Sequence, residues 1–451
     1  MARTPGPGPV TPDQGVTGAP RSADPYLPGH GNGGYRVQHY DLALEYRVSS
    51  GRLSGRARIT AVAEQALVGL SLDLGGFRVE RVSVDDRPAR HRHAAAKLTV
   101  RPGAPLAAGQ PFTVEVRYVG IPKAIRSHWG DLGWEHLDDG AMVASQPIGA
   151  PSWFPCNDHP ADKASYRIAV TTAAPLTVVA NGRLISRRVG AGSATWVYEQ
   201  IAPTPTYLAT VQIGQYELVN GAAGPIPLRG AVPGRLAARF RHDFGRQGQM
   251  MAVFQDRFGP YPFDEYGVVV VDEALEVPVE AQGLSVFGAN HLDGQRGHER
   301  LVAHELAHQW FGNSVTPADW QHIWLSEGFA SYAEWIWSEA AGGEPASVHA
   351  ARWHARLSAL PQDLVLADPG VRRMFDDRLY RRGALTLHAL RTVVGDEVFF
   401  SVLRGWAAVG RHSVGTTAQF TALAAQHAGR SLDDFFAGWL YTPALPGRPP
   451  R

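Results

Sequence analysis

Residues 302–310 read Val-Ala-His-Glu-Leu-Ala-His-Gln-Trp, and no other run in the chain restricts the fold as much. His304 and His308 stand four positions apart. On an α-helix that spacing puts both imidazoles on one face, one turn apart, so they can converge on a single ion. Glu305, one residue round, projects beside that ion and suits a base acting on an activated water. Two histidines and a carboxylate in this pattern point to Zn²⁺, which takes nitrogen and carboxylate ligands in a tetrahedron. A third ligand must come from elsewhere. A pattern with Gly three residues after the second His and another His three further on is excluded, because Phe311 and Ser314 occupy those positions. Downstream lies Trp324-Leu325-Ser326-Glu327-Gly328-Phe329-Ala330, opening an apolar helical stretch. Glu327 follows His308 by 19 positions, and a short loop with a second helix would return it to the first. The chain must therefore build two packed helices around one zinc per chain, with His304, His308 and Glu327 as ligands.

The rest of the chain divides in two. Residues 1–24 lack the apolar side chains that offset ordering entropy and read as a disordered tail. From Tyr35 to Val219 the pattern is short and strand-like, with segments such as Tyr40–Tyr46, Arg56–Val62, Pro111–Tyr118, Tyr166–Thr172 and Thr206–Gln212. Turn residues such as Asn181-Gly182 separate them, which predicts an all-β sandwich-like domain. The Gly/Pro-rich stretch 220–234 reads as the boundary. After it, 247–258, 298–312, 324–341, 345–359 and 380–394 carry helical spacing of apolar residues, and 266–271 reads as a buried strand. The predicted organisation is a tail over 1–24, an N-terminal β domain over 25–220, and an α+β, mostly helical catalytic domain over 221–451.

Composition removes several classes of function. Net charge is +1 with acids and bases mixed, and no basic block interleaves with aromatics, so a nucleic-acid partner is not expected. One cysteine, Cys156, rules out intramolecular disulfides and cysteine-based zinc modules. No run of about 18 apolar residues exists to span a membrane, and no signal-peptide core is visible. A cytoplasmic location is the resulting expectation.

The metal motif, its Glu327 partner and the Trp-Leu-x-Glu-Gly-Phe-Ala context together resemble the M1 family of zinc aminopeptidases, a gluzincin family. The resemblance implies a thermolysin-like zinc peptidase fold for 221–451, and further roles. Glu280, in Val277-Pro278-Val279-Glu280-Ala281-Gln282-Gly283, sits where the family's Gly-x-Met-Glu-Asn motif has the glutamate that binds a substrate's free α-amino group. Gly283 falls in the same strand segment that pairs with the peptide. Gln146, ten residues before Cys156, corresponds to a second amine-recognising position. Tyr380, in Tyr380-Arg381-Arg382-Gly383-Ala384, matches the tyrosine that stabilises the transition state. Departures stand beside these matches. Val277, Val279 and Ala281 replace the motif's Gly, Met and Asn; position 146 carries Gln; and Arg382 stands where Lys is usual.

Taken locally, these residues have plainer readings. Glu280 alone reads as a solvated strand-edge carboxylate, Gln146 as a loop-ordering amide, and Tyr380 as a core aromatic. Glu334, seven residues after Glu327 on the same helix face, either orients a ligand histidine or is solvated. The resemblance implies a peptide-cleaving enzyme that releases N-terminal residues. A zinc endopeptidase with a more open cleft and a non-catalytic zinc-bearing binding protein are the alternatives. The intact Glu305 argues against the last, since a structural site has no use for it.

Overall fold

The computed structural model describes residues 15–449. The N-terminal half is built on an eight-stranded sheet. Its central members are Tyr35–Arg47, Arg52–Ala63, Pro111–Gly120, Ala164–Ala173 and Ser193–Thr204. Arg52–Ala63 shows how the sequence selects this form. Leu53, Gly55, Ala57, Ile59, Ala61 and Ala63 are buried at every second position, while Arg56, Arg58 and Thr60 between them are partly exposed. Such alternation supports one strand face on a core. A four-stranded and a five-stranded sheet complete this layer, with Tyr40, Tyr166, Trp134, Trp153 and Phe154 filling the interior.

The five-stranded sheet is Ile125–Ser127, Gly130–Leu137, Gly140–Ala144, Val211–Gly214 and Thr177–Ala180. It meets the C-terminal half. Met142 packs with Val271 and Val286, and Val179 packs with Ala231, Val269, Ala281 and Leu284. Those partners lie in a second five-stranded sheet, ordered Glu217–Ala223, Ile226–Val232, Tyr266–Val271, Leu284–Gly288 and Val279–Ala281. Tyr266–Val271 is buried throughout, as a central strand covered on both faces must be.

Helices cover the other side of that sheet: α1 (Ala237–Asp243), α2 (Gln247–Phe258), α3 (Glu299–Ala307), α4 (Trp324–Ala340), α5 (Ala346–Ser358), α6 (Asp377–Val394), α7 (Asp396–Val409), α8 (Thr417–Ala428) and α9 (Asp433–Phe436). Local chemistry sets several ends. The Asp376 carboxylate accepts the Arg378 N–H at the start of α6, and Gly395 ends it at φ 82°. Thr416 and Gln419 cap α8 reciprocally, and Gly429 closes it in the left-handed conformation. Every residue of α4 from Trp324 to Trp337 is buried, so its apolar character on all faces reflects a central helix. This is the predicted class: a β-rich N-terminal domain followed by a helical catalytic domain. No helix among the described residues is long and apolar enough to cross a membrane.

Three sequence expectations need correction. Thr206–Gln212 is not one strand: Thr206–Leu208 forms a 3₁₀ turn after Pro205, and the strand begins at Val211. The stretch 220–234 is not a linker. Glu217–Ala223 and Ile226–Val232 pair antiparallel about Gly224 as the outer strands of the catalytic sheet, so a division at 220/221 cuts a strand. Gly and Pro here mark a hairpin turn instead of a domain junction. The third is the tail. Residues 1–14 lie outside the described residues, but 15–24 are ordered by backbone pairing that apolar content cannot reveal. Val16 N–H donates to Ala66 O and Gly18 N–H to Gly69 O, each at 2.9 Å. Asp24, 3% exposed, accepts Tyr26 and Leu27 N–H at 2.8 Å through one oxygen, and Trp320 N–H at 3.0 Å through the other.

Asp24 thus ties the N-terminal segment to the loop before α4. Asp24→Ala leaves the buried Trp320 N–H without its acceptor and should destabilise the protein by about 2 kcal/mol, read as a lower urea midpoint. An unchanged midpoint would show that this anchor carries no stability.

Candidate metal and peptide-binding site

Helix α3 carries His304 and Glu305 in its last turn, with His308 at its C-cap. Val302, Ala303, Leu306 and Ala307 anchor the helix in the core. The chain then turns through Gly312 at φ +113°, where a Cβ would stand 2.3 Å from Ser326 Oγ and 3.2 Å from His308 Nδ1. Only glycine lets the loop pass so close to the histidine and return into α4. Glu327 lies in the first turn of α4, where the helix dipole favours a negative charge.

The two helices bring three acceptors together. Glu327 Oε2 is 3.5 Å from His304 Nε2 and 3.5 Å from His308 Nε2, and all three side chains are buried. The far ring nitrogens fix the tautomers. His304 Nδ1–H donates to Glu334 Oε1 at 2.9 Å, and His308 Nδ1–H donates to Phe311 O at 3.1 Å, with Ser326 Oγ at 3.2 Å. Both Nε2 lone pairs therefore face the Glu327 carboxylate. Three lone pairs at this separation repel unless a cation lies among them. Tetrahedral ligands roughly 2.0–2.2 Å from Zn²⁺ stand about 3.4 Å apart, so the array matches that ion in donor type and spacing. The electrostatics agree. Burial opposes charge on both imidazoles, but Glu327 and Glu334 raise His304, and Glu280 and Glu327 raise His308. Burial likewise opposes a charged Glu327, yet His308 and then His304 hold it well below the usual carboxylate range.

Glu305 completes one side. It is 4% exposed, and its Oε2 has no hydrogen-bond partner among the described residues. Burial pushes its carboxyl up, against the pull of His304 and His308. Carboxylate oxygens of Glu280 and Glu305 and a ring nitrogen of His308 lie within 4.8 Å of one another. Glu280 is 7% exposed, and Gln146 Nε2 donates to its Oε1 at 2.6 Å. Burial raises the Glu280 carboxyl; His308 opposes this and Glu327 adds to it. Glu280 is thus an enclosed carboxylate and not the solvated strand-edge group of the local reading.

The segment around Glu280 is held by polar groups that motif reading did not single out. Gln309, next to His308, accepts Gly283 N–H at 2.8 Å through Oε1 and donates to Ala281 O at 3.2 Å. Asn313 Nδ2 donates to the same carbonyl at 3.0 Å. Asn181, from the N-terminal domain, donates to Gln282 O at 2.9 Å. Gly283 itself sits at φ +71°. Lys163, also N-terminal, donates to Asn313 O, Ser314 O and Ser413 O at 3.0, 2.9 and 3.2 Å. The one available signal was fully polar residues, Gln309 and Asn313, within an apolar stretch.

Tyr380 lies in the first turn of α6, its ring nearly parallel to that of His304 at 6.3 Å and 19°. Burial and then Glu327, Glu280 and Glu305 all raise its hydroxyl pKa. A glycine contact sets the spacing between α4 and α6. A Cβ on Gly383 would fall 2.6 Å from Gly328 Cα, and one on Gly328 would fall 2.8 Å from Gly383 Cα. Those glycines directly follow Glu327 and lie three after Tyr380, so close backbone approach seats the tyrosine beside the histidines. Arg382 is turned away from the cavity. It donates to backbone carbonyls including Leu364 O at 2.8 Å and Pro443 O at 2.6 Å.

Comparisons with known proteins bear on this arrangement. The model of the Peptidase M1 N-terminal domain matches residues 36–208, and that of the Peptidase family M1 domain matches residues 242–439. A crystal structure of an M1 zinc metallopeptidase from Deinococcus radiodurans, bound to a Tyr-Ser-Ala substrate, is 32% identical. It superposes with a TM-score of 0.87 over 95% of this chain and 99% of that one. Leucine aminopeptidase 2 of Aspergillus niger is 28% identical over 91% of this chain and 71% of its own length. Leucyl aminopeptidase of Saccharolobus solfataricus is 24% identical over 91% of this chain and 54% of its own. The chain spans about half the length, or less, of most curated relatives it matches. With both domain models matched in order and a solved zinc metallopeptidase aligned over nearly its whole length, the chain belongs to peptidase family M1 and its cofactor is zinc.

Proposed function

We propose that this protein is a zinc aminopeptidase that removes N-terminal residues from peptides, with His304, His308 and Glu327 as the metal ligands. One observation carries the reading. A buried carboxylate, Glu280, hydrogen-bonded by Gln146, lies within 4.8 Å of the donor atoms of Glu305 and His308. An anion fixed that near the reaction centre selects a substrate ammonium one residue from the bond to be cut. The Deinococcus relative, described as bound to a Tyr-Ser-Ala substrate, supports the same substrate class.

Zinc, when held by these ligands, supplies an acidified water and a Lewis acid for the scissile carbonyl. The chain does the rest. Glu305 takes the proton of the attacking water and delivers it to the leaving amine, a task suited to a carboxyl whose burial raises its pKa towards neutrality. The Tyr380 hydroxyl donates to the developing oxyanion. Glu280 and Gln146 grip the α-ammonium, and the segment Val279–Ala281, with Gly283, lies alongside the peptide backbone. The edge position of Val279–Ala281 in its sheet leaves backbone groups for that pairing.

The reading is tested with matched peptides carrying a free or an acetylated N-terminus. Free peptides should be cleaved and acetylated ones spared. Glu280→Ala removes a charge-assisted hydrogen bond worth about 1.5–3 kcal/mol, so kcat/KM for free peptides should fall roughly 10- to 150-fold. Equal cleavage of free and blocked peptides would favour the endopeptidase reading.

Tyr380→Phe deletes only a hydroxyl and preserves ring packing on His304. If the hydroxyl meets the oxyanion, kcat should fall about 10²–10³-fold while KM barely moves. A kcat within about twofold of wild type would return Tyr380 to the role of a core aromatic.

A further inference from the structure

Glu334 uses one carboxylate oxygen to fix the His304 ring, and its other oxygen has a separate partner. Arg381 Nη1 donates to Glu334 Oε2 at 3.1 Å. The terminal torsion of a glutamate is broad, so one hydrogen bond does not define the carboxylate plane. A second, on the other oxygen, does.

The surroundings of Arg381 show that it is held in place itself. Its guanidinium lies over the Trp353 ring of α5 at 4.7 Å, and its side chain is 16% exposed. Glu334 is 5% exposed, so Oε2 has little access to water in place of the arginine. A second cation, Arg300 on α3, reaches Glu334 Oε2 only at 3.6 Å and is 57% exposed. It forms no hydrogen bond of comparable geometry, and solvent screens it. Arg381 also follows Tyr380 directly in sequence. One turn of α6 therefore sets a tyrosine ring beside His304 and a guanidinium on the carboxylate behind it.

We propose that Arg381 is a positioning residue for the metal ligand His304, acting through Glu334 to keep the imidazole aimed at the ion and so to slow its loss. This rests on the assignment of His304 as a ligand but not on the substrate preference proposed above. Partners in this position typically change metal affinity 10- to 100-fold when removed.

The test reads zinc release instead of catalysis. The zinc-loaded full chain is mixed with the chromogenic chelator 4-(2-pyridylazo)resorcinol, and the transfer rate is followed for each variant. Arg381→Met should release zinc about tenfold faster than wild type. Arg381→Lys, which keeps the charge and a donor, should fall between them, and Arg300→Met should stay within about twofold of wild type. In a Glu334→Ala background, Arg381→Met should add no further acceleration. Release within twofold of wild type for Arg381→Met overturns the proposal. So does equal acceleration by Arg300→Met, or undiminished acceleration in the Glu334→Ala background. Should Arg381→Met not fold, wild type, Arg381→Lys and Arg381→Gln must still release zinc in that ascending order, and equal rates overturn the idea. A wild-type chain that takes up no zinc also overturns it. One that holds zinc but cleaves no peptide defeats only the peptidase reading.

Discussion

The confrontation of Glu327 with the two imidazoles is the interaction on which the rest of the structure depends. Two Nε2 atoms at 3.5 Å from one carboxylate oxygen, with both tautomers fixed by acceptors on the far side, form an array that is unfavourable without a cation. Holding it requires rigid surroundings. Helix α3 is bound into the core by Val302, Ala303, Leu306 and Ala307, and α4 is buried along most of its length. Gly312 permits the loop between them to pass against His308, and the Gly328–Gly383 contact brings α6 to the other side. These glycines remove side chains where backbone must approach backbone, and the geometry of the site follows from their absence of bulk.

The N-terminal domain takes part in the same constraint. Its five-stranded sheet covers the catalytic sheet through Met142 and Val179, and Gln146 enters the cleft just beyond that sheet to meet Glu280. Lys163 and Asn181 bind backbone carbonyls of the loop after α3 and of the segment after Glu280. The surroundings of Glu280 are thus shared between domains. The metal end is built from α3 and α4 alone.

Much of this was readable from residue order, for identifiable reasons. Helix periodicity carried α2, α4, α5 and α6 to within a few residues, because their apolar spacing is set by one continuous core. That His304, His308 and Glu327 meet was readable because two residues four apart, then a carboxylate after a short loop, leave few folds open. Glu280 and Tyr380 were different. Nothing near them in sequence marks a site, and only family resemblance distinguished Glu280 from a surface carboxylate. The structure supplies what spacing could not: its burial and its bond from Gln146, 134 residues away. The N-terminal segment was misread for the converse reason. Asp24 and Val16 are ordered by hydrogen bonds to backbone, and apolar content says nothing about those. Arg381 gave no signal at all, since its meaning depends on Glu334 from another helix.

Anomalous scattering at the zinc edge from crystals of the zinc-loaded protein tests the central claim most directly. A second group of donors, Glu280, Glu305 and His308, also lies close enough together to bind an ion, so the position of the metal is decisive. The account predicts a single anomalous peak between His304 Nε2, His308 Nε2 and the Glu327 carboxylate, roughly 2.0–2.2 Å from each. A principal peak between Glu280 and Glu305, or none within bonding distance of Glu327, would contradict it.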